Sequence, residues 1–175
     1  MILTNESWRQ TASQFNLKEA WPARLFPNAK YRYFRDCGCL VCALAVMLRH
    51  CGIEKEEGQS LFNPWVLNQR LIDCGAFTSD ADLELSFVNR LYPVEYLGEF
   101  SYSREELVHL MEWDFPCLVT VPGSNAERHF IVPLFTVTED VIVFDPLCGE
   151  KRLSTYNRIC GIRRFADRIV MRPQG

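Results

Sequence analysis

The sequence predicts an α+β protein, with helices in roughly its first two thirds and an antiparallel sheet in the remainder. Helical spacing of apolar residues marks the segment 39–50, and capping signals mark helix starts near residues 63 and 103. After Pro116 the pattern changes to short runs rich in β-branched and aromatic residues, separated by turn sequences. Because helices precede strands instead of alternating with them, the pattern favours α+β over α/β.

Four helices are expected before Pro116, over residues 39–50, 64–73, 80–91 and from 104 onward. The first carries apolar residues on related faces and meets a stop signal at Gly52. Asn63-Pro64 provides an N-cap followed by proline at the first helical position of the second. In the third, leucine and phenylalanine recur every fourth residue. The fourth opens with Ser103-Arg-Glu-Glu106, which reads as a capping box.

Five strands are expected after Pro116, over residues 117–121, 129–134, 141–144, 158–164 and 168–172. The second and third are expected to pair as a hairpin across the Glu139-Asp140 turn. The chain contains no internal repeat, low-complexity segment or Gly/Ser linker, so residues 1–175 are expected to form a single domain. Residues 1–35 are expected to be an N-terminal extension of short helices and loops.

Charge and hydropathy exclude several classes of protein. The net charge of the 175 residues is −3, and Lys and Arg are scattered, which argues against a nucleic-acid-binding face. No apolar stretch approaches the length of a transmembrane helix. The N-terminus lacks the basic start and apolar core of a signal peptide, so a cytoplasmic location is expected. The oligomeric state is not predicted by any of these patterns.

The eight cysteines are expected to be reduced thiols, because nothing in the sequence directs the chain to an oxidising compartment. Five of them lie within or beside apolar runs, where cysteine packs as a small hydrophobic residue: Cys42, Cys51, Cys117, Cys148 and Cys160. Cys37-x-Cys39-x-x-Cys42 could begin a zinc site, but no second CxxC and no paired histidines complete one. Neither a metal nor another cofactor is therefore expected.

Cys39 lies where the first predicted helix begins, which is a favourable position for a nucleophile. The positive end of the helix dipole and the unpaired N–H groups there lower the pKa of a thiol. The same N–H groups can bind the oxyanion of a tetrahedral intermediate. Packing in the core is the simpler alternative for a cysteine in this position.

A thiolate needs a base, and His129 is the best placed of the three histidines. His50 ends the first helix and most simply caps its dipole, whereas His109 lies within the fourth helix. His129 begins a strand after a polar loop, at the rim of the predicted sheet. Asp145 follows the paired strand, so the hairpin brings both residues to the same end, where an aspartate can orient the imidazole. Asp145-Pro could alternatively be only a turn signal.

These residues together resemble the papain-like cysteine peptidases, and most of all the bacteriocin-processing (double-glycine leader) peptidase-like branch. Gly38-Cys39-Leu-Val-Cys-Ala-Leu-Ala-Val-Met-Leu48, with Gly52 following, is similar to the nucleophile segment of that branch, G-C-x-x-T/A-S/C-L-A-M-x-L-x-x-x-G. The segment 63–77 resembles its T-P-x-x-L-N-x-x-L…G-G-F/Y motif. His129-Phe-Ile-Val and Asp145-Pro-Leu-Cys-Gly149 are similar to H-F/W-V-V and D-P-x-x-G. The resemblance covers about residues 36–165.

The resemblance implies a papain-like fold, in which N-terminal helices, with the nucleophile at a helix N-terminus, pack on a C-terminal antiparallel sheet. It implies a site with Cys39 as nucleophile, His129 as base, Asp145 as the residue that orients the base and Gln14 as the oxyanion-hole donor. Two alternatives stay open. Cys37 matches the D-C-G of the family more literally, although it needs a two-residue slip against the helix, and Gln10 competes with Gln14.

The function implied is that of a hydrolase that cleaves a peptide or amide bond in a peptide or protein substrate. Two other functions are compatible with the same sequence. One is a catalytically silent binding or structural module of this fold, for example in a phage or another bacterial assembly. The other is a thiol acyltransferase that uses the same Cys–His pair.

Overall fold

The computed structural model describes residues 8–10, 34–54, 62–124 and 127–167. The α-helices in these ranges are α1 (Phe34–Cys37), α2 (Cys39–His50), α3 (Pro64–Asp73), α4 (Val88–Leu91) and α5 (Arg104–Glu112). The strands are β1 (Val94–Phe100), β2 (Cys117–Val121), β3 (His129–Val137), β4 (Asp140–Asp145), β5 (Gly149–Arg152) and β6 (Gly161–Asp167). Short 3-10 turns occupy Leu85–Phe87 and Leu153–Thr155. The α+β class is therefore confirmed.

The strands in the described ranges form one six-stranded sheet of order β1-β6-β2-β3-β4-β5, in which each neighbouring pair is antiparallel. The predicted hairpin is confirmed, because β3 pairs with β4 from Val132 opposite Phe144 to Val137 opposite Asp140. The register shifts between Pro133 and Phe135. A bulge suits that point, since proline has no N–H to donate to the ladder.

Helices cover the sheet on both faces. Phe130 and Phe144 point from the sheet into the core beneath α2 and α3. Ile131 and Val143, which are next to Phe130 and Phe144 in the sequence, pack on the other face against Leu107 of α5 and its neighbours. This alternation follows from the two-residue period of a strand. Helix α2 is buried along almost its whole length, which is typical of a helix that is apolar all round.

Three of the four predicted helices are confirmed, and each has a local signal. Helix α2 spans Cys39–His50, as its apolar spacing predicts. The Asn63 side chain accepts hydrogen bonds from the N–H groups of Trp65 and Val66, at 2.9 and 3.1 Å, and so caps α3. The Ser103 hydroxyl accepts from the Glu106 N–H at 3.3 Å and caps α5. In a complete capping box the Glu106 carboxylate would also accept from the Ser103 N–H. Here that carboxylate pairs with Arg164 instead.

The prediction of a helix over residues 80–91 is wrong in its first half. Thr78 and Asp82 close a turn through a backbone hydrogen bond of 2.9 Å, and Ala81 within it has a φ of +66°. A short bridge between Phe77 and Leu83 follows from that turn. Helical structure starts only at Leu85. Serine and aspartate side chains favour turns over helix interiors, and here that preference outweighs the spacing of the apolar residues.

The predicted strands at 117–121, 129–134 and 141–144 are confirmed, and the last two are longer than expected. The strand expected at 158–164 lies instead at Gly161–Asp167, and the one expected at 168–172 falls outside the described residues. Strands β1 and β5 were not predicted. They are the two edges of the sheet, and their sequences contain Gly98 and a charged run, Glu150-Lys-Arg152, which depart from the usual strand composition.

All eight cysteines lie in the described ranges, and none of them is in a disulfide there. Cys42 and Cys117 are buried and Cys51 is half-buried, in keeping with their apolar surroundings. The packing expectation is wrong for Cys148 and Cys160, which are exposed. Cys148 lies in the turn between β4 and β5, and Cys160 precedes β6, so neither belongs to the interior of an element.

The described residues contain neither a helix that could span a membrane nor a group of side chains that could hold a metal ion. Within those ranges, no helix combines the length and the apolar character that crossing a bilayer requires. Over the same part of the chain, no three His, Cys, Asp or Glu side chains are grouped as a bound metal ion would need.

Candidate active site

Cys39 is the first residue of α2, and Gly38 is the N-cap that precedes it. Gly38 lies so close to α1 that its N–H donates to the Phe34 carbonyl oxygen at 2.6 Å. A Cβ at position 38 would lie 2.6 Å from both that oxygen and the Phe34 ring. Glycine is thus required there for steric reasons, and the close junction between α1 and α2 fixes the position of Cys39. Only 7 % of the Cys39 surface is exposed.

His129 and Asp145 meet at one end of the hairpin, because β3 begins with the first and β4 ends with the second. The His129 Nε2 and the Asp145 Oδ1 are 2.8 Å apart, and both side chains are buried. An ionised carboxylate can only accept, so Nε2 carries the proton that it donates to Asp145. The arrangement that the sequence predicts for these two residues is present.

The Cys39 side chain lies near enough to His129 to raise the pKa of the imidazole, so a thiol, an imidazole and a carboxylate are grouped in one place. Because Nε2 is engaged by Asp145, Nδ1 is the ring nitrogen left available to the thiol. Burial lowers the pKa of His129, but the hydrogen bond to Asp145 and the nearby Cys39 outweigh burial and raise that pKa to about 9. An imidazole with this pKa is mostly protonated at neutral pH.

Asp145 is held by two more donors besides His129. The Leu147 N–H donates to Oδ1 at 2.7 Å, and the Tyr156 hydroxyl donates to Oδ2 at 2.5 Å. Burial alone would raise the pKa of this carboxyl, but the bonds from His129 and Tyr156 lower it to about 2. Burial and the nearby carboxylate raise the pKa of Tyr156 above its ordinary value. Asp145 thus stays ionised with its orientation fixed.

The contact between Tyr156 and Asp145 is one that the sequence did not reveal. It follows the 3-10 turn Leu153–Thr155 and is half-buried, with the Lys151 ammonium 5.2 Å from the centre of its ring. No spacing rule links a tyrosine in this turn to Asp145. The contact arises because the chain folds back after β5, which only the tertiary structure fixes.

Cys39 raises the pKa of His129, which places it beside the imidazole. Cys37 is the half-buried last residue of α1, and its carbonyl oxygen lies 4.0 Å from the Cys39 Sγ. Gln14 falls outside the described residues. The alternative Gln10 is 2 % exposed, and its N–H donates to the Pro146 carbonyl at 2.9 Å, so it lies beside Asp145.

The other two histidines lie outside this group. His50 ends α2, about 16 Å along the helix axis from Cys39 at 1.5 Å per residue. Its pKa is lowered by burial, against the opposing effect of Asp114. His109 is exposed on α5, with its ring centre 5.7 Å from that of Trp113.

Comparison of the chain with protein-family models, with curated proteins and with solved structures yields no match.

Proposed function

We propose that this chain is a papain-like cysteine hydrolase that cleaves a peptide or amide bond, with Cys39 as nucleophile. The observation that carries the proposal is the grouping of three side chains: His129 is bonded to Asp145, and Cys39, at the start of a buried helix, is near enough to raise the pKa of His129. A thiol, a base and a residue that orients the base are the parts that nucleophilic cysteine catalysis requires.

The proposed mechanism starts from a thiolate–imidazolium pair. A His129 pKa of about 9 means that the imidazole can hold the thiol proton at neutral pH. The N-terminus of α2 favours negative charge at Cys39, because its first N–H groups have no partners within the helix. Asp145, ionised through a pKa of about 2, stabilises the imidazolium from the other side.

In the first step the Cys39 thiolate forms a bond to the substrate carbonyl carbon, and the C=O electron pair moves onto oxygen. The N–H groups that begin α2 are suited to stabilise this oxyanion, and a Gln10 or Gln14 side chain would add a donor. As the intermediate collapses, the C–N bond breaks and His129 Nδ1 gives its proton to the leaving amine. The products are a free amine and a Cys39 thioester.

In the second step His129, now neutral, takes a proton from water as the water attacks the thioester carbon. The C–S bond breaks, the acid leaves, and the thiolate–imidazolium pair is restored. Asp145 keeps the ring in place throughout, since Leu147 and Tyr156 fix the carboxylate independently of His129.

The test is alkylation with iodoacetamide at pH 6, followed by tryptic digestion and fragment-ion assignment of the modified cysteine. Fragment ions are needed because one tryptic peptide, 36–49, contains Cys37, Cys39 and Cys42. We expect Cys39 to react ahead of the other thiols in the wild type and to lose that advantage in His129→Ala. His109→Ala, which changes an exposed histidine, should behave as wild type.

Three results would contradict the proposal. Equal labelling of all accessible cysteines would mean that the site has no activated thiolate, and would favour a silent binding module. Preferential labelling of Cys37 would move the nucleophile. If Cys39 is still alkylated ahead of the other thiols in His129→Ala, His129 does not activate the thiol.

A further inference from the structure

We propose that Cys39 and Cys42 form a reversible disulfide, in which Cys42 captures the oxidised sulfur of Cys39. The two residues are the first and fourth of α2, so they lie on the same side of its first turn. The pair is the CxxC spacing at a helix N-terminus that suits dithiol chemistry. The proposal goes beyond hydrolysis, because it concerns only the reactivity of the two thiols.

The helical geometry brings the two side chains within reach. Residues three apart on a helix have Cβ atoms about 5–6 Å apart. A disulfide needs Cα atoms about 4.4–6.8 Å apart and Cβ atoms about 3.5–4.5 Å apart, so a small adjustment of the first turn closes the bond. The negative charge of Cys39 contributes to the raised pKa of Cys42, which is a consequence of their proximity.

Burial gives the two cysteines different roles. Cys42 has no exposed surface, and burial raises the pKa of its thiol well above the ordinary value. Cys39 keeps a 7 % exposed surface and lies beside His129, whose pKa it raises. An oxidant in solution therefore meets Cys39, while Cys42 is held beside it as a protonated internal thiol.

Cys37 is a poorer partner for Cys39. It belongs to α1, and Gly38 separates it from the start of α2. Residues two apart do not face each other along a helix. It is the backbone carbonyl of Cys37 that lies 4.0 Å from the Cys39 Sγ.

The reaction with a peroxide balances in two steps. The Cys39 thiolate attacks one peroxide oxygen, so that an S–O bond forms and the O–O bond breaks. The sulfur gives two electrons and is oxidised. The leaving oxygen takes a proton and departs as water or alcohol. The Cys42 thiol then attacks the Cys39 sulfenic acid, the S–S bond forms, and the hydroxyl leaves as water with the thiol proton. A thiolate of a dithiol reductant attacks the Cys39 sulfur and the Cys39–Cys42 bond breaks; the second thiol of the reductant then displaces Cys39, so both protein thiols are restored and the reductant is oxidised to a disulfide.

The experiment is a brief exposure of the reduced full chain to dilute hydrogen peroxide, followed by iodoacetamide, trypsin and mass spectrometry. In wild type we expect peptide 36–49 to lose two hydrogens and to carry one carbamidomethyl group, on Cys37. Dithiothreitol added before the alkylation should restore all three alkylated cysteines. Cys37→Ala should still form the disulfide.

In Cys42→Ala and Cys42→Val we expect the same peroxide dose to convert Cys39 to sulfinic acid, which dithiothreitol does not reverse. Two substitutions are used because Cys42 is buried, and circular dichroism establishes that at least one variant is folded. A wild-type chain without the Cys39–Cys42 bond, or a disulfide that persists in either folded Cys42 variant, would overturn the proposal. Because iodoacetamide labelling tests the His129-activated thiolate separately, failure of one proposal is distinguishable from failure of the other.

Discussion

At the scale of single residues, the geometry of the site depends on Asp145. Its carboxylate accepts hydrogen bonds from the His129 ring, the Leu147 N–H and the Tyr156 hydroxyl, which reach it from three different places in the chain. A buried carboxylate without such donors would lose its charge. With them, Asp145 and His129 form a buried ion pair that persists across a wide range of pH.

This ion pair predicts how the pH dependence of stability changes in Asp145→Asn. The pKa of His129 is raised from 6.5 to about 9 in the folded state, so its contribution is complete below pH 6.5 and is lost as pH rises through 9. The pKa of Asp145 is lowered from 3.8 to about 2, so its contribution is complete above pH 3.8 and is lost as pH falls through 2.

We expect the difference in the free energy of unfolding, wild type minus Asp145→Asn, to be largest between pH 4 and 6.5. At pH 9 this difference should be smaller, by at most about 3 kcal/mol, because one pKa unit is worth about 1.4 kcal/mol. Urea unfolding at pH 5, 7 and 9 measures it. Asp140→Asn, at the other end of β4, is the control and should leave the alkaline change intact. If the difference in the free energy of unfolding between wild type and Asp145→Asn does not change with pH, the ion pair between His129 and Asp145 is contradicted.

At the scale of elements, the junction between α1 and α2 sets the position of the thiol. In Gly38→Ala the new Cβ would collide with Phe34, although the φ of −73° at Gly38 suits any residue. We expect a loss of about 1–3 kcal/mol in stability, typical of overpacking, together with slower alkylation of Cys39 because α2 must shift.

Gly52→Ala, just beyond the other end of α2, separates the loss of stability from the slower alkylation of Cys39. Gly52 has a φ of +82° and open space around its Cα, so the substitution strains the backbone without a collision. We expect it to cost about 1–2 kcal/mol while leaving the alkylation rate of Cys39 unchanged. If Gly38→Ala alkylates at the wild-type rate, the junction does not position the thiol.

The elements that the sequence predicted correctly are those with local signals. Helix α3 has its Asn63 cap, α5 has its Ser103 cap, and the β3–β4 hairpin has its own turn. The edge strands β1 and β5 were missed because their formation depends on pairing with β6 and β4, not on their own composition. For the same reason, the sequence pointed to residues at the ends of elements, such as His129, but not to Tyr156, which reaches Asp145 only through the tertiary fold.

At the scale of the whole molecule, one sheet carries a hydrophobic cluster on each face. Phe144 lies fully buried under α2 and α3, whereas Phe135, on the neighbouring strand of the same hairpin, is 48 % exposed. We expect Phe144→Ala to cost about 3–5 kcal/mol, and Phe135→Ala less than about 1 kcal/mol. Urea unfolding measures both.

Because the two clusters share the sheet, Phe144→Ala should lower the stability of both together. Tryptophan fluorescence and far-ultraviolet circular dichroism should follow one transition in the wild type and in the variant. Two separate transitions would contradict the proposal that residues 1–175 form one domain. A similar cost for the two alanine substitutions would contradict the packing argument.

The position of β6 determines how late in synthesis the sheet can be completed. Strand β6 is the last described strand in the sequence, yet it lies between β1 and β2 in the sheet. A ribosome releases Cys39 long before it releases His129, and β1 and β2 acquire their shared neighbour later still. Pairings so distant in sequence form slowly. In the proposed mechanism, a nascent chain therefore carries the Cys39 thiol without its base until His129 has been released.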